Sequence, residues 1–444
     1  MPGAVLGTIT RTTASTLLLL ALPSFAGVVD THQAQCCASI APSTPPATYY
    51  GGIMFRDDDA RSRWQMDVAV PMDPPGSIDD MVALVDETEA EYGAISAKLV
   101  TPLSGLAAAY LEKNRTKEAI ATLRRGIHVS RMEDGLHTPH QIGLVQQLIA
   151  THLKRGEFID ADAQQRYLYR LKTRGQDPRG DEFRAATLHY GNWVRSVYLA
   201  DYEKERFPRL VEMQDIYADT LERIEELEGE DSPELLPYLR GLADVSYLLT
   251  VYPGERRQAD RMTTANDSFW RFQRMNDETI NFAFRQGLKS LKRQEEILRR
   301  SNASAIEVAN ARLAIADWYQ WNERYADALP VYKEVWEFMS TEDQGEDWQA
   351  TSLLHPLELP KETVFNLGPV PIDHMNTGEV SLRFDVSRHG KARNIEVLTP
   401  RSRETVGLVS QAYQRLKNVR FRPRVLNGEV VATENIERTY TIRY

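Results

Sequence analysis

The 444-residue sequence has almost no cysteine: Cys36 and Cys37 are the only two, and they stand side by side. Adjacent cysteines cannot staple distant parts of a chain to each other, so no internal disulfide framework is expected. The preceding Gln33-Ala34-Gln35 lacks the apolar and small residues of a lipoprotein signal. Long apolar runs are also missing. The run from Thr16 through Leu22 is broken by Pro23 and falls short of the roughly 20 residues needed to cross a bilayer. Catalytic signatures are equally scarce: there is no Gly-x-Ser-x-Gly elbow, no His-Glu-x-x-His, no phosphate-cradling Gly-x-x-x-x-Gly-Lys and no dinucleotide fingerprint. The best cluster of ligand-type side chains is His137 and His140. No acidic or cysteine partner stands nearby at metal-ligand spacing, and Pro139 marks a loop-to-helix junction, so these histidines read as surface or capping residues. The expectation is a protein that is not an enzyme, with no catalytic residue, cofactor or metal.

What is present begins with an export signal. Arg11 precedes the short apolar run, and Ser24-Phe25-Ala26 offers small residues where a signal peptidase inspects the chain, so residues 1–26 read as a cleaved signal peptide and the protein as periplasmic. A polar, Pro-rich leader is expected over 27–77, its Asp57-Asp58-Asp59 triplet being a solvated loop rather than an ion site. Charge divides the remainder. From Glu379 to the end there are 13 Lys or Arg against 7 Asp or Glu, a surplus of +6, which leaves −16 for everything before it out of the net −10. Two oppositely charged parts should meet different partners. Nucleic acid is not among them, since the basic residues alternate along strands without an interleaved stacking set.

From Ile78 to 341 the pattern is helical, and it repeats. Leu103, Leu106, Ala107, Tyr110, Ala119, Leu123 and Gly126 are matched by Val145, Leu148, Ile149, His152, Ala161, Gln165 and Leu168, and again by Ile315, Ala316, Tyr319, Ala328, Tyr332 and Val335. These offsets resemble the tetratricopeptide repeat, in which small residues let two helices approach and large ones fill the gaps. The 42-residue step from Tyr110 to His152 resembles the longer repeats of kinesin light chain proteins. The resemblance implies a solenoid whose units must stack to bury their apolar faces. Between 180 and 298 the text stays helical but does not align to the repeat, and an envelope enzyme could only have its site there. Trp318, Trp321 and Trp336 cannot all face inward at these offsets, and Trp318 and Trp321 are taken as candidate peptide anchors on a groove.

A linker is expected over 342–368. Beyond it, Val380, Leu382, Phe384 and Val386 alternate with polar residues as in a half-buried strand. Ile395 and Val397 give a second strand, Val409, Ala412, Tyr413 and Leu416 a helix, and Asn427-Gly428 a tight turn before a long extended C-terminus. The pattern Gly378, Val380, Phe384, Val386, Gly390, Ile395, Val397, Ala412, then Val419-Arg420-Phe421-Arg422-Pro423 and Gly428 resembles the TonB C-terminal domain. The fold class expected is therefore mostly α, a tetratricopeptide-like α-solenoid followed by a small α+β (ββαβ) module over 369–444. The resemblance implies a periplasmic module that adds a partner segment as an extra strand along Glu434, Ile436, Arg438, Tyr440, Ile442 and Arg443, with Arg438 and Arg443 favouring an acidic peptide. The partner implied is a protein or peptide of the cell envelope, an outer-membrane receptor included. A family transducer also has a membrane-spanning N-terminal helix and a long Pro-rich spacer. Neither has a counterpart here, so a binding scaffold is the leading expectation and an accessory of TonB-dependent transport the alternative.

Overall fold

The computed structural model describes residues 76–200, 207–252, 266–360, 377–400, 402 and 405–443. The expected signal peptide, nearly all of the leader, Pro253 and residues 361–376 lie outside them. The described chain is mostly helical, with a small sheet region at its C-terminal end. Eleven α-helices come first: α1 Ile78–Tyr92, α2 Val100–Glu112, α3 Thr116–Asp134, α4 Ile142–Lys154, α5 Phe158–Thr173, α6 Asp181–Ala200, α7 Phe207–Glu228, α8 Leu236–Val251, α9 Asn266–Arg300, α10 Ala305–Trp321 and α11 Tyr325–Met339. Each packs on the helix before it and the helix after it.

Local chemistry sets the ends of several helices. Ser77 and Ser304 accept a hydrogen bond from the backbone N–H three residues on, while the Asp80 and Glu307 carboxylates accept one from the serine N–H. Such capping boxes satisfy donors that a bare helix start leaves unpaired, worth about 1 kcal/mol each. At the three pairs that carry the repeat spacing, the turn is three residues long and closes alike. Arg115 N–H donates to Tyr110 O (2.8 Å), Glu157 to His152 O (2.9 Å) and Arg324 to Tyr319 O (2.9 Å). In each, the residue before the donor is left-handed: Asn114 (φ 58°), Gly156 (φ 72°) and Glu323 (φ 58°). Asn and Gly adopt that conformation readily, whereas Glu does not.

Most of the repeated positions are buried, with Tyr110 and Tyr319 half-buried. Leu103, Ala107, Ala119 and Leu123 are covered, as are Val145, Leu148, Ile149, His152 and Ala161, and Ile315, Ala316, Ala328, Tyr332 and Val335. A larger apolar cluster runs from α5 to α10 and includes Trp193, Tyr217, Tyr238, Trp318 and Trp321. Close approach here has a specific requirement: a Cβ on Gly287 of α9 would lie 2.5 Å from the Trp318 ring.

Residues 342–360, expected to be linker, are instead built into the structure. They form helix α12, Gly345–Ser352, and strand β1, Leu357–Leu359, which pairs antiparallel with β4, Arg420–Arg422. The remaining C-terminal elements are β2 Thr377–Val386, β3 Ala392–Val397, α13 Val406–Asn418, β5 Arg424–Leu426, β6 Glu429–Val431 and β7 Thr433–Arg443. The main sheet has the order β3-β2-β7, all antiparallel. The inward face of β2, Val380, Leu382, Phe384 and Val386, packs with Leu408, Val409, Ala412 and Leu416 of α13 and with Phe421. Burying each such side chain contributes roughly 1.5–3 kcal/mol. The Asn427-Gly428 turn joins β5 to β6 with positive φ at both residues, 51° and 77°.

Candidate partner-binding edge

The strand order leaves β7 at the margin of its sheet. It pairs with β2 from Thr377↔Arg443 to Val386↔Thr433, and no other strand among the described residues pairs with its second side. An edge of this kind offers a row of unpaired N–H and C=O groups to any extended segment laid beside it. Side chains alternate along β7. Ile436, Arg438 and Tyr440 point inward opposite Phe384, Leu382 and Val380, while Glu434, Glu437 and Thr439 are exposed. Ile442 and Arg443 pair through the backbone with Gly378 and Thr377; their side chains lie outside the described residues. On the outer face Arg383 bridges Glu437 (2.7 Å) and Glu396 (2.8 Å), which ties the three strands with charge that water partly screens.

Four of the expected contact residues are not available to a partner. Trp318 and Trp321 are fully buried. Trp318 donates from its indole to Phe284 O (3.1 Å) and meets Tyr247 edge-on, while Trp321 donates to Thr250 Oγ1 (2.8 Å) and lies under the Arg420 guanidinium. Both face inward because α10 is packed by α9, α11 and the C-terminal strands and has little circumference left for solvent. Arg438, expected to greet an acidic peptide, instead pairs with the buried Glu358 of β1 (2.8 Å) and donates to Pro356 O (2.5 Å). Tyr440 donates its hydroxyl to the same Glu358 (2.7 Å), and burial, with Glu358 beside it, pushes the phenol well up, so it remains a donor. What β7 can offer is thus its backbone edge and its outward residues.

Behind that edge, the C-terminal elements are bound to the end of the helices by buried charge. Arg422 of β4 donates through Nε to Asp317 Oδ1 of α10 (2.8 Å), through Nη2 to Asp317 Oδ2, and through Nη1 to Ser352 O (2.7 Å). Tyr332 of α11 completes the carboxylate's shell (3.0 Å). Burial alone would push the Arg422 guanidinium down, but Asp317 beside it holds it above its ordinary value. Around this pair, Gln320 donates to His389 O (2.8 Å) and Phe421 O (3.2 Å). Gly390 passes so close that a Cβ would lie 2.0 Å from Phe421 O. Glu323, the left-handed residue of the α10–α11 turn, bridges Lys391 (3.4 Å) and Arg420 (3.2 Å). The left-handed backbone at Glu323 thus accompanies a carboxylate shared by Lys391, just before β3, and Arg420 of β4.

Sequence patterns did not single out Asp317, Glu358 or Glu323. A signal existed for the first, since an aspartate inside Ala314-Ile315-Ala316-Asp317-Trp318 is an acid in an apolar stretch. Arg422 lay inside the Phe421-Arg422-Pro423 element with no hint of its partner.

Elsewhere, ionisable clusters are satisfied internally. Asp162 takes Arg209 (2.6 Å) and the Trp193 indole (2.8 Å), and Glu212 takes Arg166 (3.1 Å) and the Tyr190 hydroxyl (2.7 Å), which knits α5, α6 and α7 together. His152, Glu157 and Asp160 come close enough to hold an ion, within 4.8 Å of one another. However, Glu157 already receives His152 (2.7 Å) and Arg155 (2.6 Å), and Arg124 stands 3.9 Å from Asp160, so cations already occupy the carboxylates. His140 pairs with Asp134 (3.1 Å), and His137 lies 6.0 Å from the Tyr167 ring, each in its own surroundings.

Comparison with known proteins gives no family. No protein-family model matches the chain, and no curated protein does. Among solved structures, the crystal structure of BtubC (BKLC) from P. vanneervenii aligns over 64% of this chain and 92% of that one, with 11% sequence identity and a TM-score of 0.30. A likeness of that size supports no argument about fold or function.

Proposed function

We propose that this chain is a non-catalytic scaffold of the bacterial cell envelope, in which a tetratricopeptide-like solenoid carries a TonB C-terminal-like module that takes a partner peptide by strand addition. The observation that carries the reading is the margin of β7: a strand of eleven residues, Thr433–Arg443, paired along one side with β2. Strand addition draws affinity from main-chain hydrogen bonds and selectivity from the side chains that alternate along the edge. Glu434, Glu437 and Thr439 are the outward residues a docked strand would meet, which favours a basic or neutral segment over an acidic one. Helices that pack on sequence neighbours, with a common turn at Asn114, Gly156 and Glu323, support the solenoid half of the proposal. Export to the periplasm, an envelope protein as partner, and a role beside an outer-membrane receptor belong to the same proposal.

The test is a photo-crosslinking amino acid placed at Glu437, on β7, and separately at Glu396, on β3, in the full chain expressed in a Gram-negative cell. Crosslinked envelope protein at Glu437 and not at Glu396 is the expected result. Equal capture at both positions, or none at Glu437, rules out the β7 edge as the docking site. Deleting the module is a poor substitute, because it would strip Asp317 of Arg422.

A further inference from the structure

We propose that a groove between α9 and the end of α7 is a second docking surface, shaped for an extended acidic peptide. The groove has a volume of about 640 Å³, and its lining includes Leu288 and the buried Ile297 as an apolar floor. Much of its polar lining is already committed. Glu225 binds Arg293 (3.0 Å), Asp231 binds Arg300 (2.5 Å), and Glu296 also binds Arg300. What remains is one carboxylate, Glu230, whose backbone carbonyl receives Arg293 (3.0 Å), and three exposed cations, Arg285, Lys289 and Lys292, with no hydrogen bond or ion pair among the described residues.

Those three cations lie four and three residues apart and so share one helix face, with successive side chains about 5–6 Å apart. An extended peptide presents every second side chain to one face at about 6.6 Å, a mismatch that long Lys and Arg stems absorb. A single phosphate or lipid headgroup calls for cations that converge on one point. A row of cations instead suits carboxylates on alternate residues, which all fall on the one face of an extended segment that is turned to α9. The acidic character of the chain before Glu379 adds direction, because it repels an acidic segment from most of the surface and leaves this stripe as the favourable place to settle. This surface is independent of the β7 edge and of opposite preference.

The probe is a fluorescein-labelled octapeptide of alternating Glu and Val, titrated with the full chain and followed by anisotropy. Saturable binding that weakens as sodium chloride is raised is expected. Replacing Arg285, Lys289 and Lys292 together by Glu should cost about tenfold or more in affinity, and replacing them by Gln somewhat less, with helical content by circular dichroism unchanged in both. Lys117→Glu, on the exposed surface of α3, should leave binding as it was. The proposal is overturned if the triple Glu variant binds as well as the parent chain, if an octapeptide with Gln in place of Glu binds equally, or if inorganic phosphate or vesicles of anionic lipid displace the peptide at matched charge. Crosslinking at Glu437 should be indifferent to all these groove substitutions, which keeps this test separate from that of the β7 edge.

Discussion

The helices and the C-terminal strands are held together by different kinds of contact. Along α1 to α11 nearly every packed partner is the preceding or following helix. In the C-terminal part, by contrast, Leu357 pairs with Arg422, Thr377 with Arg443, and Arg438 reaches Glu358. A region built from neighbours can lose one piece and keep the rest, while a region closed by distant partners fails as a whole.

The substitution that probes this difference most strongly is Asp317→Ala. It leaves the buried Arg422 without its carboxylate, and breaking a buried pair from one side costs about 3–5 kcal/mol. Denaturant unfolding should show a loss of that size, and hydrogen exchange should accelerate in α10, α11 and β4 together. Next comes a matched pair in two places, Leu382→Ala in the sheet and Leu123→Ala in the helices, both at residues with no exposure to speak of. Each should cost about 2–5 kcal/mol. Exchange should quicken across the entire C-terminal sheet for the first, but only from α2 to α5 for the second; an equally wide response in both would erase the contrast.

The third prediction concerns pH. Burial pushes Asp244 of α8 up to about 6 from an ordinary 3.8, against the pull of Arg195 and Arg240. Between those values the folded chain holds a proton that the unfolded chain has lost, so stability should fall as pH rises from about 4 to about 6 and level off above. Asp244→Asn should remove that slope, read as denaturation midpoints at several pH values. A slope unchanged in the variant would assign it to other groups. The smallest effect is expected at Glu323. Glu323→Ala keeps the left-handed strain and loses two partly exposed ion pairs, for about 1 kcal/mol or less, and Glu323→Gly should lose less still because glycine accepts that φ. Thermal unfolding of the two variants side by side separates backbone from bridge.

The same contrast decides what could be read in the sequence. Periodic positions such as Leu103, Ala119, Val145, Ala161 and Tyr332 declare themselves, because packing on a neighbour repeats a local offset. The helices near Leu188 and Leu239 were legible for the same reason, as was the alternation from Val380 to Val386. Strand β1 was not. It is three residues, Leu357-Glu358-Leu359, too short to show a period, and what makes it a strand is β4, more than sixty residues further on. Arg438 shows the limit for a site: alternation placed it on one face of β7 but could not say whether that face met solvent or Glu358. The two tryptophans of α10 failed in a related way, since counting one apolar stripe assumes a helix covered on one side only.

The buried acids also carry a consequence for the order in which the chain is completed. Asp317 lies 105 residues ahead of Arg422, and Glu358 lies 80 ahead of Arg438. As the polypeptide emerges N-terminus first, α10 and β1 present carboxylates whose guanidinium partners have not yet been made. A molecule cut short between Asp317 and Arg422 keeps a carboxylate on α10 without its guanidinium partner. Both carboxylates are paired only once β4 and β7 have been made, so the join between the helices and the strands is completed late in synthesis.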